Sequence, residues 1–343
     1  MKKWIGYEKG VNLGGWFSQC VYTKEHYEGF ITEKDFAELS TWGIDHVRIP
    51  VDYNLVETED GTRLEEGFEY LQRAIDWCGK YGLNMILDLH KTAGYSFDRN
   101  EGEEGFFADV KLQERFYCLW EEFARRYGKY SDRIAFELLN EVTDKSYCDI
   151  WNTIADTCIQ RIRKIAPKIK ILVGGYWNNS VSAVKDIRLS GYENIILNFH
   201  CYEPLIFTHQ GAYWVPQIPI DFRIRFPEKC EVYEEAYKKY YPMMLDDFKR
   251  ATAGKRVVDS DYFERLFEEA VKVAEERNVP LYCGEYGVIN NADVESTLRW
   301  YQTIHPVFVR HNIGRAAWSY KKMDFGFDGV NLRPVLSELK KLL

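Results

Sequence analysis

The run IAFELLNE, residues 134–141, sets Glu137, Asn140 and Glu141 in a stretch otherwise short and apolar enough for a buried β-strand. Seven more runs share that character: GVNLGGW (10–16), DHVRIPV (45–51), NMILDLH (84–90), KILVGGYW (170–177), NIILNFHCY (194–202), VPLYCGEYG (279–287) and GRAAWSY (314–320). Amphipathic stretches of helical spacing lie between them. Leu64, Phe68, Leu71, Ile75 and Cys78 make one apolar stripe; Phe116, Leu119, Trp120, Phe123 and Tyr127 make another. Strand then helix, repeated along the chain, is the pattern of a parallel sheet with crossover helices. Eight such units close most economically into a (β/α)8 barrel, with an open doubly wound sheet as the alternative. No G-x-G-x-x-G or G-x-x-x-x-G-K-[ST] follows any run, which removes the usual nucleotide-binding reason for the open form. The sequence therefore predicts an α/β fold, a (β/α)8 TIM barrel, with residues 1–343 forming a single domain.

One connection breaks the rhythm. Residues 203–260 hold an aromatic segment, FTHQGAYWVPQIPIDFRIRF, and then a charged, tyrosine-rich one, YEEAYKKYYPMMLDDFKR. That is too long for a βα loop, so a helical subdomain inserted between strand 6 and helix 6, at the C-terminal face, is expected. It reads either as a lid or wall over the site or as an insertion without substrate contact.

Charge and composition exclude several functions. A net charge of −8 without a basic block offers nothing to track a phosphate backbone, so nucleic acid is not an expected partner. No stretch approaches the ~18 apolar residues of a membrane span. Residues 1–16 carry Gly6, Glu8 and Lys9 where a signal peptide would have a continuous apolar region. The eight cysteines form no C-x-x-C pair. A cytoplasmic monomer is expected, with secretion the alternative if a leader is missing before Met1.

Because side chains alternate across a strand, the polar residues of these runs sort by parity. His46, Arg48 and Pro50 share one face, as do Asp88 and His90; Glu137, Leu139 and Glu141; Asn198, His200 and Tyr202; Leu281, Cys283 and Glu285; and Ala316, Trp318 and Tyr320. The opposite faces, such as Val47 with Ile49 and Leu87 with Leu89, suit packing against helices. The polar faces should point into the barrel, mostly near the C-terminal strand ends where barrel enzymes keep their chemistry. Two carboxylates on separate strands, Glu141 and Glu285, gather there with Arg48, His90, Asn140, His200, Tyr202 and Trp318. A buried ion-pair network is the purely structural reading of such a set. Two opposed glutamates beside a cation, ringed by His, Tyr and Trp, suit hydrolysis of a glycosidic bond. Residue types alone fix the two roles only in part.

With these motifs in order, from about residue 10 to 320, the chain resembles glycoside hydrolase family 5, the clan-A retaining glycosidases built on a (β/α)8 barrel. GVNLGGW, HVRIP, ILDLH, FELLNE, NFHCY, CGEYG and AAWSY carry the likeness. FTHQ, YCGEYGV and YKKMDF look most like clostridial-type cytoplasmic endo-β-glucanases with a helical insertion after strand six. The resemblance implies Glu141 as acid/base and Glu285 as nucleophile. It implies Arg48 and Tyr202 orienting the nucleophile, His90 and Asn140 on sugar hydroxyls, His200 near the acid/base, and Trp318 stacked under the sugar. Two departures stand out: Lys91, where many relatives have a second histidine, and Val142, where many have a proline after the Asn-Glu pair.

Trp16, Tyr95, Trp177, Phe207 and Trp214 are candidate aromatic contacts for a glucan groove. By resemblance the substrate is expected to be a β-1,4 or mixed-linkage β-1,3-1,4 glucan, as polymer or oligosaccharide. β-Mannanase, xylanase or xyloglucanase and exo-β-glucosidase are alternatives on the same scaffold. No cofactor or metal is expected. A metal-dependent hydrolase could use Asp88, His90, Glu141, His200 and Glu285, but neither H-x-H nor H-E-x-x-H spacing supports one. A non-catalytic glycan-binding barrel is the remaining alternative, and it would need neither glutamate.

Overall fold

The computed structural model describes residues 1–343, the side chain of Arg99 excepted. Eight strands, β1 (Gly10–Asn12), β2 (His46–Asp52), β3 (Asn84–Lys91), β4 (Ile134–Glu137), β5 (Lys170–Val173), β6 (Ile195–Cys201), β7 (Leu281–Tyr286) and β8 (Gly314–Ala317), pair in chain order. All the pairings are parallel, and β8 returns to β1 to close the barrel. The expected (β/α)8 closure is what the chain adopts.

Alternation explains why the sheet closes with its apolar side outward. Val47, Ile49, Leu87, Leu89, Phe136, Ile171, Val173, Leu197 and Phe199 join the core between sheet and helices. The helices meet them with stripes spaced three and four apart. Glu65–Tyr81 buries Phe68, Leu71, Ile75 and Cys78. Val110–Tyr127 buries Phe116, Leu119, Trp120 and Phe123. Between β5 and β6 the crossover carries the 3-10 helix Val181–Asp186.

Inside the barrel a small apolar layer, Ile86, Ala135, Leu172, Ile196, Tyr282 and Ala316, closes the N-terminal end with Trp4 and Tyr7. Above it the interior turns polar, beginning with Asn12, Arg48, Asp88, Glu137 and Asn198, all fully buried.

Residues 203–260 contain the helices Cys230–Tyr240 and Leu245–Ala251. Tyr233 and Tyr237 pack on Phe248, which packs in turn on Tyr262 of the following helix, Ser260–Glu276. Among the described residues no helix is long and apolar enough to cross a membrane. All eight cysteines are free thiols.

The departures from strict parity in β4 and β7 concern the glutamates. Regular β4 ends at Glu137, and Leu138 and Leu139 both join the outer apolar core, so Leu139 does not share the inward face of Glu137. In β7, Leu281 and Cys283 also face outward, whereas Tyr282 lies inside and bonds His46. The register slips between Cys283 and Tyr286, which lets Gly284 and Glu285 both turn inward. The parity sorting thus put Leu281 and Cys283 on the wrong side. Tyr320 also lies outside, with its hydroxyl donating to Asp35 at 3.0 Å.

Candidate active site

Arg48 is the hub. Flanked by outward-facing Val47 and Ile49, its side chain is turned into the barrel and is fully buried. Nε and Nη2 donate to Glu137 Oε2 at 2.7 Å and Oε1 at 2.9 Å, a two-pronged pairing for which a guanidinium is shaped. Nη1 donates to Asn12 Oδ1 at 2.9 Å and to Glu285 Oε1 at 2.8 Å; Nη2 donates to Asn140 Oδ1 at 2.7 Å and lies 3.0 Å from Asp88 Oδ2. Asn198 adds a donor to Glu137 Oε1 at 2.7 Å. Such a charge is tolerable out of water only because nearly every donor finds a partner.

Above Arg48 the two glutamates face each other. Glu285 accepts from Arg48 on Oε1 and from the Tyr202 hydroxyl on Oε2 at 2.9 Å. Glu141 Oε1 lies 2.7 Å from His200 Nδ1, and its Oε2 accepts from Asn178 Nδ2 at 2.8 Å. His200 Nδ1 is also 3.6 Å from Glu285 Oε2. One oxygen of each carboxylate and a His200 nitrogen all lie within 4.8 Å of one another. Carboxylates this close suit work on one bond through a covalent intermediate rather than the wider gap that holds a water for inversion.

Electrostatics favour the ionised form of Glu285. Burial pushes Glu285 up, but His200, Arg48 and His90, with the Tyr202 hydroxyl, outweigh it and hold the carboxyl below its ordinary value. Tyr202 is pushed well above its ordinary range, chiefly by burial and then by Glu285 and Glu141, so it remains a donor. Burial lowers His90 and His200, yet the carboxylates beside each raise both on balance: Asp88 at His90, Glu285 and Glu141 at His200. Arg48, His90 and His200 thus stand against the carboxyl groups of Asp88, Glu137 and Glu285.

A His and two Glu this close are also ligand types for a divalent ion. Both oxygens of Glu285 already accept donors, one from a guanidinium whose charge would repel the ion. The set therefore fits acid–base work better than metal binding.

The sequence model described as "Cellulase (glycosyl hydrolase family 5)" matches residues 5–324. The chain belongs to glycosyl hydrolase family 5. Among its relatives, Cellodextrinase A of Ruminococcus flavefaciens is 45% identical over 327 residues, covering 95% of this chain and 89% of that protein. Endoglucanase C of Acetivibrio thermocellus is 36% identical over 347 residues, covering 99% of this chain and 98% of that one. The crystal structure of endoglucanase Cel5A from Thermotoga maritima superposes with a TM-score of 0.75 at 22% identity, covering 97% of each chain, which speaks for the fold alone.

In this family 5 chain, Trp318 stacks parallel to His90 at 5.8 Å between ring centres, and His90 Nδ1 lies 2.6 Å from Asp88 Oδ2. Gly14 makes the space: a Cβ there would come within 2.9 Å of the Trp318 indole. Arg48, His90, Asn140, Glu141, His200, Tyr202, Glu285 and Trp318 thus come together at one end of the barrel.

Three aromatic candidates do not join them. Trp16 is 2% exposed, covered by Phe17, with its indole N–H donated to the Tyr27 carbonyl; it is a core residue. Phe207 is fully buried against Phe226. Tyr95 is buried too, and its hydroxyl is spent on the chain that carries Glu141. It donates to the Glu141 carbonyl at 2.6 Å and accepts from the Thr143 N–H at 2.8 Å, so it braces rather than binds. Trp177 and Trp214 are half exposed.

Asn12, Asn178 and Asn198 were not singled out from sequence as site residues. Parity already sets Asn198 on the inward face, and Asn12 sits on β1 at an inward position where the same sorting could have found it. Asn178 follows a strand end in GGYWNN, whose paired glycines and asparagines signal left-handed backbone.

Proposed function

We propose that the chain hydrolyses β-1,4-linked or mixed-linkage β-1,3-1,4 glucan with retention, using Glu285 as nucleophile and Glu141 as acid/base. The observation that carries this reading is the pair of facing carboxylates within 4.8 Å, one held ionised by Arg48, His200 and Tyr202 and the other in contact with His200 and Asn178. Glu285 attacks the anomeric carbon while Glu141 protonates the departing oxygen. Water, activated by Glu141, then releases the sugar from Glu285. Trp318 supplies an apolar floor, and His90 and Asn140 supply polar contacts for hydroxyls.

The glucan preference rests on the two relatives named Cellodextrinase A and Endoglucanase C, each similar over nearly the whole chain. For residues 203–260 we favour a wall of the cleft over a detached insertion. Trp214 lies near His209 and Phe325, and Phe325 shares an apolar cluster with Trp318.

Product anomer followed by NMR tests the mechanism, and first-formed α-anomer would overturn it. A panel of β-glucan, mixed-linkage glucan, cellodextrins, mannan, xylan and xyloglucan with product sizing tests the substrate. Mannan or xylan as the best substrate would overturn the preference and leave the mechanism standing.

A further inference from the structure

Trp177, Asn178 and Asn179, with three residues between them and the end of β5, form a single left-handed turn, with φ of 50°, 53° and 58°. For asparagine this conformation is tolerated; for a bulky residue such as tryptophan it is unfavourable, costing on the order of 1–3 kcal/mol. The turn is fastened from both sides. Asn179 Oδ1 accepts from the Gly175 N–H at 3.0 Å, and its amide fills the space beside Gly174, where a Cβ would come within 2.0 Å of it. On the other side the Asn178 N–H donates to the Val142 carbonyl at 3.0 Å, tying the turn to the residue that follows Glu141. This geometry aims the Asn178 amide at Glu141 Oε2, 2.8 Å away.

We propose that Asn178 is a positioning residue for Glu141, held in a left-handed turn so that its side-chain N–H fixes the carboxyl rotamer and stabilises its ionised form after proton transfer. The inference rests on reading Glu141 as the acid/base. Each catalytic step needs a different state of Glu141: protonated to expel the leaving group, ionised to activate water. His200 also touches Glu141, but it lies within reach of Glu285 as well. Asn178 is the neutral donor, and among the described residues its side chain bonds Glu141 alone. The other titratable or charged groups facing this point are Glu285, Tyr202 and Tyr95, with the Lys145 ammonium 5.6 Å from the Trp177 ring.

Two substitutions separate donor from backbone. Asn178→Gly keeps the left-handed turn and deletes the amide. Asn178→Asp keeps a residue that tolerates the turn and replaces the donor by an acceptor. For both, the basic limb of kcat/KM should move to higher pH, by about half a unit to one unit for Gly and further for Asp, because a donor to the anion is lost and then a like charge is added. kcat/KM should fall at least roughly tenfold more on unactivated cellodextrin than on a dinitrophenyl cellobioside, which needs little protonation on departure. A purely structural asparagine would lower both substrates alike and leave the limb in place, and that result would overturn the proposal. Glu141→Gln run in parallel keeps the two readings distinguishable. If it lacks the same leaving-group dependence, the acid/base assignment fails; if it shows it while both Asn178 variants do not, only the role of Asn178 fails.

Discussion

Glu137 and Glu141 stand four residues apart in one short run, and the same substitution should affect them in opposite ways. Glu137 is fully buried and accepts three donors, two from Arg48 and one from Asn198. In Glu137→Gln one oxygen becomes an NH2 group, so Arg48 meets a donor head-on whichever oxygen is replaced, and it loses a counter-charge. Breaking a buried ion pair from one side costs about 3–5 kcal/mol. An unfolding entropy of about 2.1 cal/mol/K per residue gives roughly 0.7 kcal/mol/K for a chain this long, so Tm should drop by about 4–7 °C. In Glu141→Gln the amide carbonyl can still accept one donor and the group stays at the edge of the cleft, so Tm should move by less than about 2 °C. Turnover of cellodextrins should fall by about 10²–10⁴. Differential scanning calorimetry and initial rates on substrates of graded leaving-group acidity read both effects. An unchanged Tm for Glu137→Gln, or full turnover in Glu141→Gln, would refute the division of labour.

Three further outcomes follow from the same geometry. His200→Asn removes a cation that helps hold Glu285 ionised, so the acid limb of kcat/KM should rise by about one pH unit, and a fixed limb would count against that coupling. Stability should show a plateau in pH. His90 and His200 are raised on folding, so their contribution is full below about 6.5 and is lost as pH climbs through their folded values; Glu285 is lowered, so its contribution is present above about 4.3 and is lost as pH falls through its folded value. Tm measured across pH should therefore be highest between those bounds, and His90→Asn should flatten the alkaline decline. Dialysis against EDTA should leave hydrolysis unchanged, whereas loss of activity restored by a divalent ion would revive the metal reading of Glu141, His200 and Glu285.

The barrel was legible because its signal is periodic. Apolar residues outside the sheet, such as Val47, Ile49, Leu87 and Leu89, alternate with Arg48 and Asp88 inside, and the helical stripes between them need no tertiary knowledge. The eight residues that meet at the site were legible because polar side chains in buried strands demand a use. The aromatic contacts were not, since Trp16 and Trp177 have the same local character in sequence. Only packing decides that Trp16 goes under Phe17 while Trp177 is held at the surface by the left-handed turn. Tyr95 was misread for a related reason: a phenol that braces a backbone and one that binds a sugar look alike without coordinates.

The deeper limit lies in the strands that bear the glutamates. A regular strand gives one inward side chain in two, yet the site needs Asn140 beside Glu141. It also needs Glu285 directly after Gly284, whose N–H donates to Asn198 at 3.0 Å while its carbonyl accepts from Asn12. Each pair exists because regular pairing stops: β4 ends at Glu137, and β7 slips between Cys283 and Tyr286, opposite a slip at Phe199 and His200 in β6. A pleat extended without a break from Leu281 would instead have carried Glu285 outward with Leu281 and Cys283, while Tyr282 stayed inside with its hydroxyl 2.6 Å from His46 Nε2. The irregularity thus serves two layers at once, keeping Tyr282 in the lower plug while turning Glu285 toward Arg48. Periodicity finds the scaffold for that reason, and chemistry collects where periodicity fails.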